Sequence, residues 1–167
     1  PQGLTAAGEK LSDYAVAKGL MLDLTHSSDK TVLDLARRHR GLPLLFSNQA
    51  SRELTPCERT ISPELLREVR RSGGIVGLTL AANYAGGDMA SLMRHAAALA
   101  RVAGPEALAI GSDFNGLIGR VQGAADTSGY APVLKELEAA GIPAQRSAQS
   151  FVSFWRRTLA YDANRKP

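Results

Sequence analysis

The chain has 167 residues, 44% of them hydrophobic and 22% charged, with a formal net charge of +4, which is enough for one core and short for two domains. No apolar run approaches the roughly 18 residues of a membrane span, and the opening PQGLTAAGEK lacks the charged-then-apolar order of a signal peptide; the composition therefore suits a soluble cytoplasmic or periplasmic protein. Basic residues are scattered over separate segments and do not alternate with aromatics, which argues against nucleic acid, and the lone Cys57 excludes an internal disulfide and any Cys-based zinc motif.

Thr5 is positioned to cap a first helix that runs to about Lys18 and stops at Gly19. The run Leu20-Met21-Leu22-Asp23-Leu24 follows. Its continuous apolarity suits a strand covered on both faces, and it ends in Thr25-His26-Ser27-Ser28. A second helix carries Val32, Leu33, Leu35 and Ala36 on one side, with Gly41 past its end. The second strand, Leu42 to Ser47, delivers Asn48. Ser62-Pro63-Glu64 starts a third helix that Gly73-Gly74 ends.

Ile75 to Leu80 reads as the third strand, followed by a glycine-rich loop from Asn83 to Asp88 and an alanine-rich helix closed by Gly104. Leu108-Ala109-Ile110 is the fourth strand and delivers Gly111-Ser112-Asp113-Phe114-Asn115-Gly116, and two helices, at about 131–140 and 147–160, end the pattern. Successive strand-helix units mean a parallel α/β fold. The long polar connections follow strands, so His26, Asn48, Asn83 and Asp113 are expected on one face of the sheet. Four strands do not close an eight-stranded barrel, so the chain is either an open doubly wound sheet or half of something larger. The doubly wound reading lacks a glycine-rich phosphate fingerprint: GGIVG and AGGD do not have the strand-turn-helix placement that such a fingerprint needs.

A single histidine after a strand, such as His26, is ordinarily structural, although imidazole at a rigid strand end also suits a zinc ligand. Asp113, between small residues at a strand terminus, reads either as an Asx turn or as a carboxylate able to move a proton or bind a metal. Arg59 by itself is an ordinary solvated arginine. His95 is expected to pack or to hydrogen-bond, and His39 lies near a helix C-terminus with no chemistry assigned.

Taken in order, GLTAAGEKL, LDLTHSS, LLFSNQASRELTPCERTISPELL, IVGLTL and RVAGPEALAIGSDFNG resemble the second half of the membrane (renal) dipeptidase family, from Gly3 to about Leu159. The resemblance implies the last four strand-helix units of a (β/α)8 TIM-type barrel. Residues 1–167 would then form one unit, the C-terminal half of that barrel with no separate second domain. It implies a zinc-dependent hydrolase acting on small dipeptides with two zinc ions, whose upstream ligands are absent from this sequence. An upstream segment or a partner chain would complete the barrel, and a homodimer is a separate expectation. Carried over by position, His26 matches a metal ligand, Asp113 the proton-shuttling catalytic aspartate, and Arg59, eleven residues after Asn48, the arginine that grips the substrate carboxylate.

Asn48 stands where the family has a second histidine ligand, and an amide oxygen is a far poorer zinc ligand than imidazole. Asn115, Thr60 and Ser153 are further departures. Three outcomes stay open: a working dipeptidase-type enzyme, a non-catalytic or truncated homologue acting as a binding module, and a barrel homologue with altered metal use and substrate. A half barrel with open edges is also expected to fold poorly by itself.

Overall fold

The computed structural model describes residues 2–116 and 119–163. The elements run α1 (Ala6–Ala17), α2 (Asp29–Arg38), β1 (Leu45–Gln49), α3 (Pro63–Ser72), β2 (Ile75–Leu78), α4 (Ala82–Ala85), α5 (Met89–Ala103), β3 (Leu108–Ile110), α6 (Tyr130–Ala139) and α7 (Ala144–Ala163), with 3-10 turns at Pro105–Ala107 and Thr127–Gly129. The fold is α/β. Its sheet has three parallel strands in the order β1-β2-β3.

The helix caps follow the sequence. Thr5, Ser28, Ser62 and Asp88 each accept a hydrogen bond from a backbone N–H in the first turn of α1, α2, α3 and α5, satisfying one orphan donor apiece. Gly73 ends α3 in the left-handed conformation at φ 67°, which costs a glycine little. The core forms where Val32 and Leu35 of α2, Leu65, Leu66 and Val69 of α3, and Leu92, Ala96 and Leu99 of α5 close on Phe46, Val76, Leu78 and Leu108 of the sheet. All four residues of β2 are buried, as expected of a central parallel strand covered on both faces.

The strand boundaries differ from expectation in three places. Leu20–Leu24 is not a strand: only Asp23 bridges to Leu45, with Leu24 N donating to Leu45 O at 2.8 Å. Leu20 and Met21 are exposed, so this segment lies at an edge with a ladder on one side alone. β1 starts at Leu45 rather than Leu42, because Pro43 has no N–H to give and Leu44 N donates instead to Ser72 Oγ. β2 ends at Leu78 rather than Leu80, although Thr79 N still donates to Gln49 O. The expected loop from Asn83 contains the short helix α4, and the last helix is longer than expected, starting at Ala144.

At the carboxyl ends of the strands the backbones approach closely. A Cβ on either Gly77 or Gly111 would collide with the carbonyl oxygen of Ser47. These two glycines are therefore required by the close approach of backbone at the strand ends, not by φ. Replacing Gly111 or Gly77 with alanine is expected to lower stability by about 1–3 kcal/mol through overpacking. Urea denaturation checks it, and an unchanged midpoint would show that Ser47 gives way at no cost.

Candidate functional site

His26 and Asp113 each follow a sheet segment and share a backbone feature. Of the non-glycine residues described, they alone have positive φ, at 66° and 57°. A side chain in that region meets its own backbone at a cost of order 1–2 kcal/mol, and such strain gathers at sites where geometry matters more than stability. His26 is exposed. Asp113 is half-buried in a tight turn in which Gly116 N donates to Asp113 O at 2.9 Å. The Asp113 carboxylate lies over Gly116, where a Cβ would come within 2.6 Å of Oδ1.

A cavity of about 460 Å³ opens beside His26, lined by Ser27, Ser28, Asp29, Arg52, Glu58 and Arg59. Its far wall is the loop between β1 and α3, and one residue holds that loop in place. Arg52 pairs with Asp29 through two bonds of 2.8 and 2.9 Å, and its Nε donates to Thr60 O at 2.8 Å. The fork of a guanidinium suits this bidentate grip. Thr60 is buried, and its hydroxyl sits 2.9 Å from Thr55 O and 2.7 Å from Cys57 O, folding the loop on itself. Arg59, carried between these anchors, faces the same cavity as His26.

Asn48 and Asp113 are not among the walls of that cavity. Asn48 lies inside β1 rather than after it, half-buried, and its Nδ2 donates to Ser47 Oγ at 3.1 Å. Ser47 Oγ and Thr25 Oγ1 share a bond of 3.1 Å, and Thr25 Oγ1 donates to Asp23 Oδ1 at 2.7 Å. Each hydroxyl has one proton. The order is thus fixed: Asn48 amide to Ser47, Ser47 to Thr25, Thr25 to the Asp23 carboxylate. Burial pushes the Asp23 carboxyl up, but the hydrogen bonds from Ser47 and Thr25 together outweigh it and hold the carboxyl below its ordinary value. The sequence marks Asp23 as part of the run that ends in His26, but assigns no role to Ser47 or Arg52.

His95 is buried on α5 and accepts a 3.0 Å hydrogen bond from Ser51 N at Nδ1, as its packing role predicted. His39, also buried, caps α2 and joins Ser12 Oγ at 3.0 Å; it serves α1 docking. Asn83 is exposed on α4, and Tyr130 donates to Ser112 Oγ at 2.9 Å beside the Asp113 turn.

Residues 1–149 match the family described as Membrane dipeptidase (Peptidase family M19). The chain belongs to that family. It is 31% identical over 123 residues to a Klebsiella pneumoniae protein described as "Uncharacterized protein in pqqA 5'region", covering 69% of this chain and 45% of that protein. To Dipeptidase 3 of Rattus norvegicus it is 30% identical over 139 residues, 81% of this chain and 28% of that protein. Among solved structures, a metallo peptidase from Rhodobacter sphaeroides, liganded with a phosphinate mimic of the dipeptide L-Ala-D-Ala, superposes with a TM-score of 0.87 at 29% identity, over 95% of this chain and 48% of that one. The M19 chain thus spans less than half the length of these relatives.

Two predictions follow from the local geometry. Replacing His26 or Asp113 with glycine relieves positive φ, so stability should stay level or rise by up to about 1 kcal/mol, against the loss of about 1 kcal/mol usual for a point change. Thermal melts test this, and a clear loss in both variants would remove the case for strain. The second concerns His95. Burial, then the neighbouring Arg94, lowers its affinity for a proton below the ordinary 6.5. The unfolded chain therefore binds that proton first on acidification. The stability is whole above about pH 6.5 and is lost as pH falls from there through the lower folded value. Urea midpoints from pH 8 to 5 should decline in the natural protein and flatten in His95→Gln; parallel declines would exclude His95 as the cause.

Proposed function

We propose that this M19 chain is the C-terminal half of a (β/α)8 dipeptidase-type barrel, and that it supplies the substrate-gripping and proton-moving groups for hydrolysis of a small dipeptide. The observation that carries the reading is the left-handed backbone at His26 and Asp113, which follow different sheet segments and fall at positions that the resemblance assigns to the site. Arg59 holds the terminal carboxylate of the substrate in the cavity it shares with His26. Asp113 carries a proton from the attacking water to the leaving amine, a role that needs a carboxylate fixed at a strand end.

The half-barrel reading draws support from where large apolar side chains stay exposed. Apart from Leu54, they lie on α1 and the segment after it, at Leu11, Tyr14, Leu20 and Met21, and on α7, at Phe151, Val152, Trp155 and Leu159. More chain packed on these surfaces would bury them.

Family M19 is a metallopeptidase family, and the residues here do not by themselves fit a metal. Among the described residues no group of three or more His, Cys, Asp or Glu converges. His26 is one imidazole at a cavity wall, and Asn48 is turned onto Ser47. Zinc sites take three or four protein ligands. The ions that the resemblance implies would accordingly depend on ligands from outside these residues. This same donor set favours the second reading, a non-catalytic homologue that binds peptides without cleaving them.

The readings separate in the protein that carries this chain. For the enzyme, dipeptide turnover falls about 10²–10⁴-fold in Asp113→Asn, while Arg59→Ala raises KM more than it lowers kcat. Elemental analysis of Asn48→His should show more bound zinc than the natural protein. Absence of turnover together with unchanged metal content in Asn48→His would leave the binding module standing instead.

A further inference from the structure

The cavity beside His26 is lined by two acidic and two basic side chains, and they are not equivalent. Asp29 and Arg52 neutralise each other through their bidentate pair. Glu58 and Arg59 do not: both are exposed, and among the described residues neither side chain has a hydrogen bond or ion pair. Their backbones are nonetheless held, since Glu58 O accepts from Arg52 Nη2 at 3.4 Å and Arg59 N donates to Cys57 Sγ at 3.3 Å. The loop thus offers a free carboxylate and a free guanidinium, one residue apart, on one wall.

A free Glu58 beside Arg59 works against an ordinary carboxylate ligand, because it cancels much of the attraction that the guanidinium supplies. Such a pair is complementary to a ligand that presents an anion and a cation together. In a dipeptide gripped by its terminal carboxylate, the α-amine belongs to the other residue, across the scissile amide. The cation that travels with the carboxylate is the side chain of the C-terminal residue itself. We infer that Glu58 is a specificity-determining residue that selects dipeptides ending in lysine or arginine, with Arg59 taking the carboxylate and Glu58 the basic side chain.

This rests on the proposed carboxylate grip by Arg59, and the experiment is arranged so that the two fail separately. Ala-Lys, Lys-Ala and Ala-Ala are compared as substrates of the protein carrying this chain, in its natural form and as Glu58→Gln. Ala-Lys should be preferred, and Glu58→Gln should shrink the ratio of its kcat/KM to that of Ala-Ala by roughly two- to fivefold, the size of an exposed ion pair. Lys-Ala should not follow it. An unchanged Ala-Lys ratio, or an equal effect on Lys-Ala, overturns the assignment. Should no dipeptide be cleaved, the hydrolase reading fails, and Glu58 is judged by competition binding of the same three peptides: the Ala-Lys preference must persist in the natural protein and weaken in Glu58→Gln. Arg59→Ala should weaken all three, and Ala-Lys binding that survives Arg59→Ala but not Glu58→Gln would show a cation site independent of the carboxylate grip, which also overturns the proposal.

Discussion

The peptide unit of Ser47 is where the strand ends are held together. Its carbonyl fills the space that side chains on Gly77 and Gly111 would occupy, so β1, β2 and the end of β3 meet there at backbone distance. Its N–H donates to Thr25 Oγ1 at 2.8 Å and to Asp23 Oδ1 at 3.2 Å, tying the edge segment to the same point. Parallel pairing is slightly less stable per residue than antiparallel pairing. At the edge, where the ladder shrinks to the single bridge from Asp23 to Leu45, a carboxylate and two hydroxyls take over its work. His26 leaves this bracket on one side and the Gly111–Asp113 turn on the other, so both inherit their positions from Ser47.

The second organiser is Arg52, which works at longer range. It joins the start of α2 to the far end of the loop between β1 and α3, and the cavity exists because this span is closed. Its pair with Asp29 is about 30% exposed on each side, so the ion pair alone contributes modestly. The bonds to Thr60 O make the difference, since they fix the loop's own backbone. Thr60 departs from the asparagine of the family pattern and is spent inside the loop on Thr55 O and Cys57 O, leaving its neighbour Arg59 free to face the cavity.

The α/β alternation, the helix caps and the glycine stops were legible because each is written in a few adjacent residues: Thr5, Ser28, Ser62, Gly73. The motif order placed His26 and Arg59 on what proves to be one cavity. What could not be read was long-range. Leu20 to Leu24 has the composition of a buried strand, but composition does not say whether a second neighbour is there to hydrogen-bond it, and Leu20 is 54% exposed. Leu42 to Leu44 reads as strand too, until Pro43 removes a donor and Ser72, 28 residues away, takes the N–H of Leu44. Nothing adjacent in sequence marks Arg52, because its partner, Asp29, is 23 residues distant. Asp23 stands in a legible motif, but its partner Ser47 is 24 residues away and only the sheet brings the two together.

These distances bear on Asn48. The amide hydrogen-bonds its neighbour Ser47 and heads a relay of donors that ends on Asp23, so its nitrogen is committed inward by the same bracket that positions His26. What Asn48 has left to offer is its second N–H and an acceptor oxygen. Such an oxygen suits hydrogen-bond donors and hard cations, and it serves zinc poorly. At this strand end, where the resemblance implies a histidine, the framework of Asp23, Thr25 and Ser47 displays an amide instead. The charged groups of the neighbouring cavity are unaffected by that change, because Arg59 and Glu58 are held by Arg52 and Thr60 and not by Ser47. On the proposed reading, the groups near Asn48 and the groups that would meet a substrate thus rest on separate supports, so that one would weaken while the other persists.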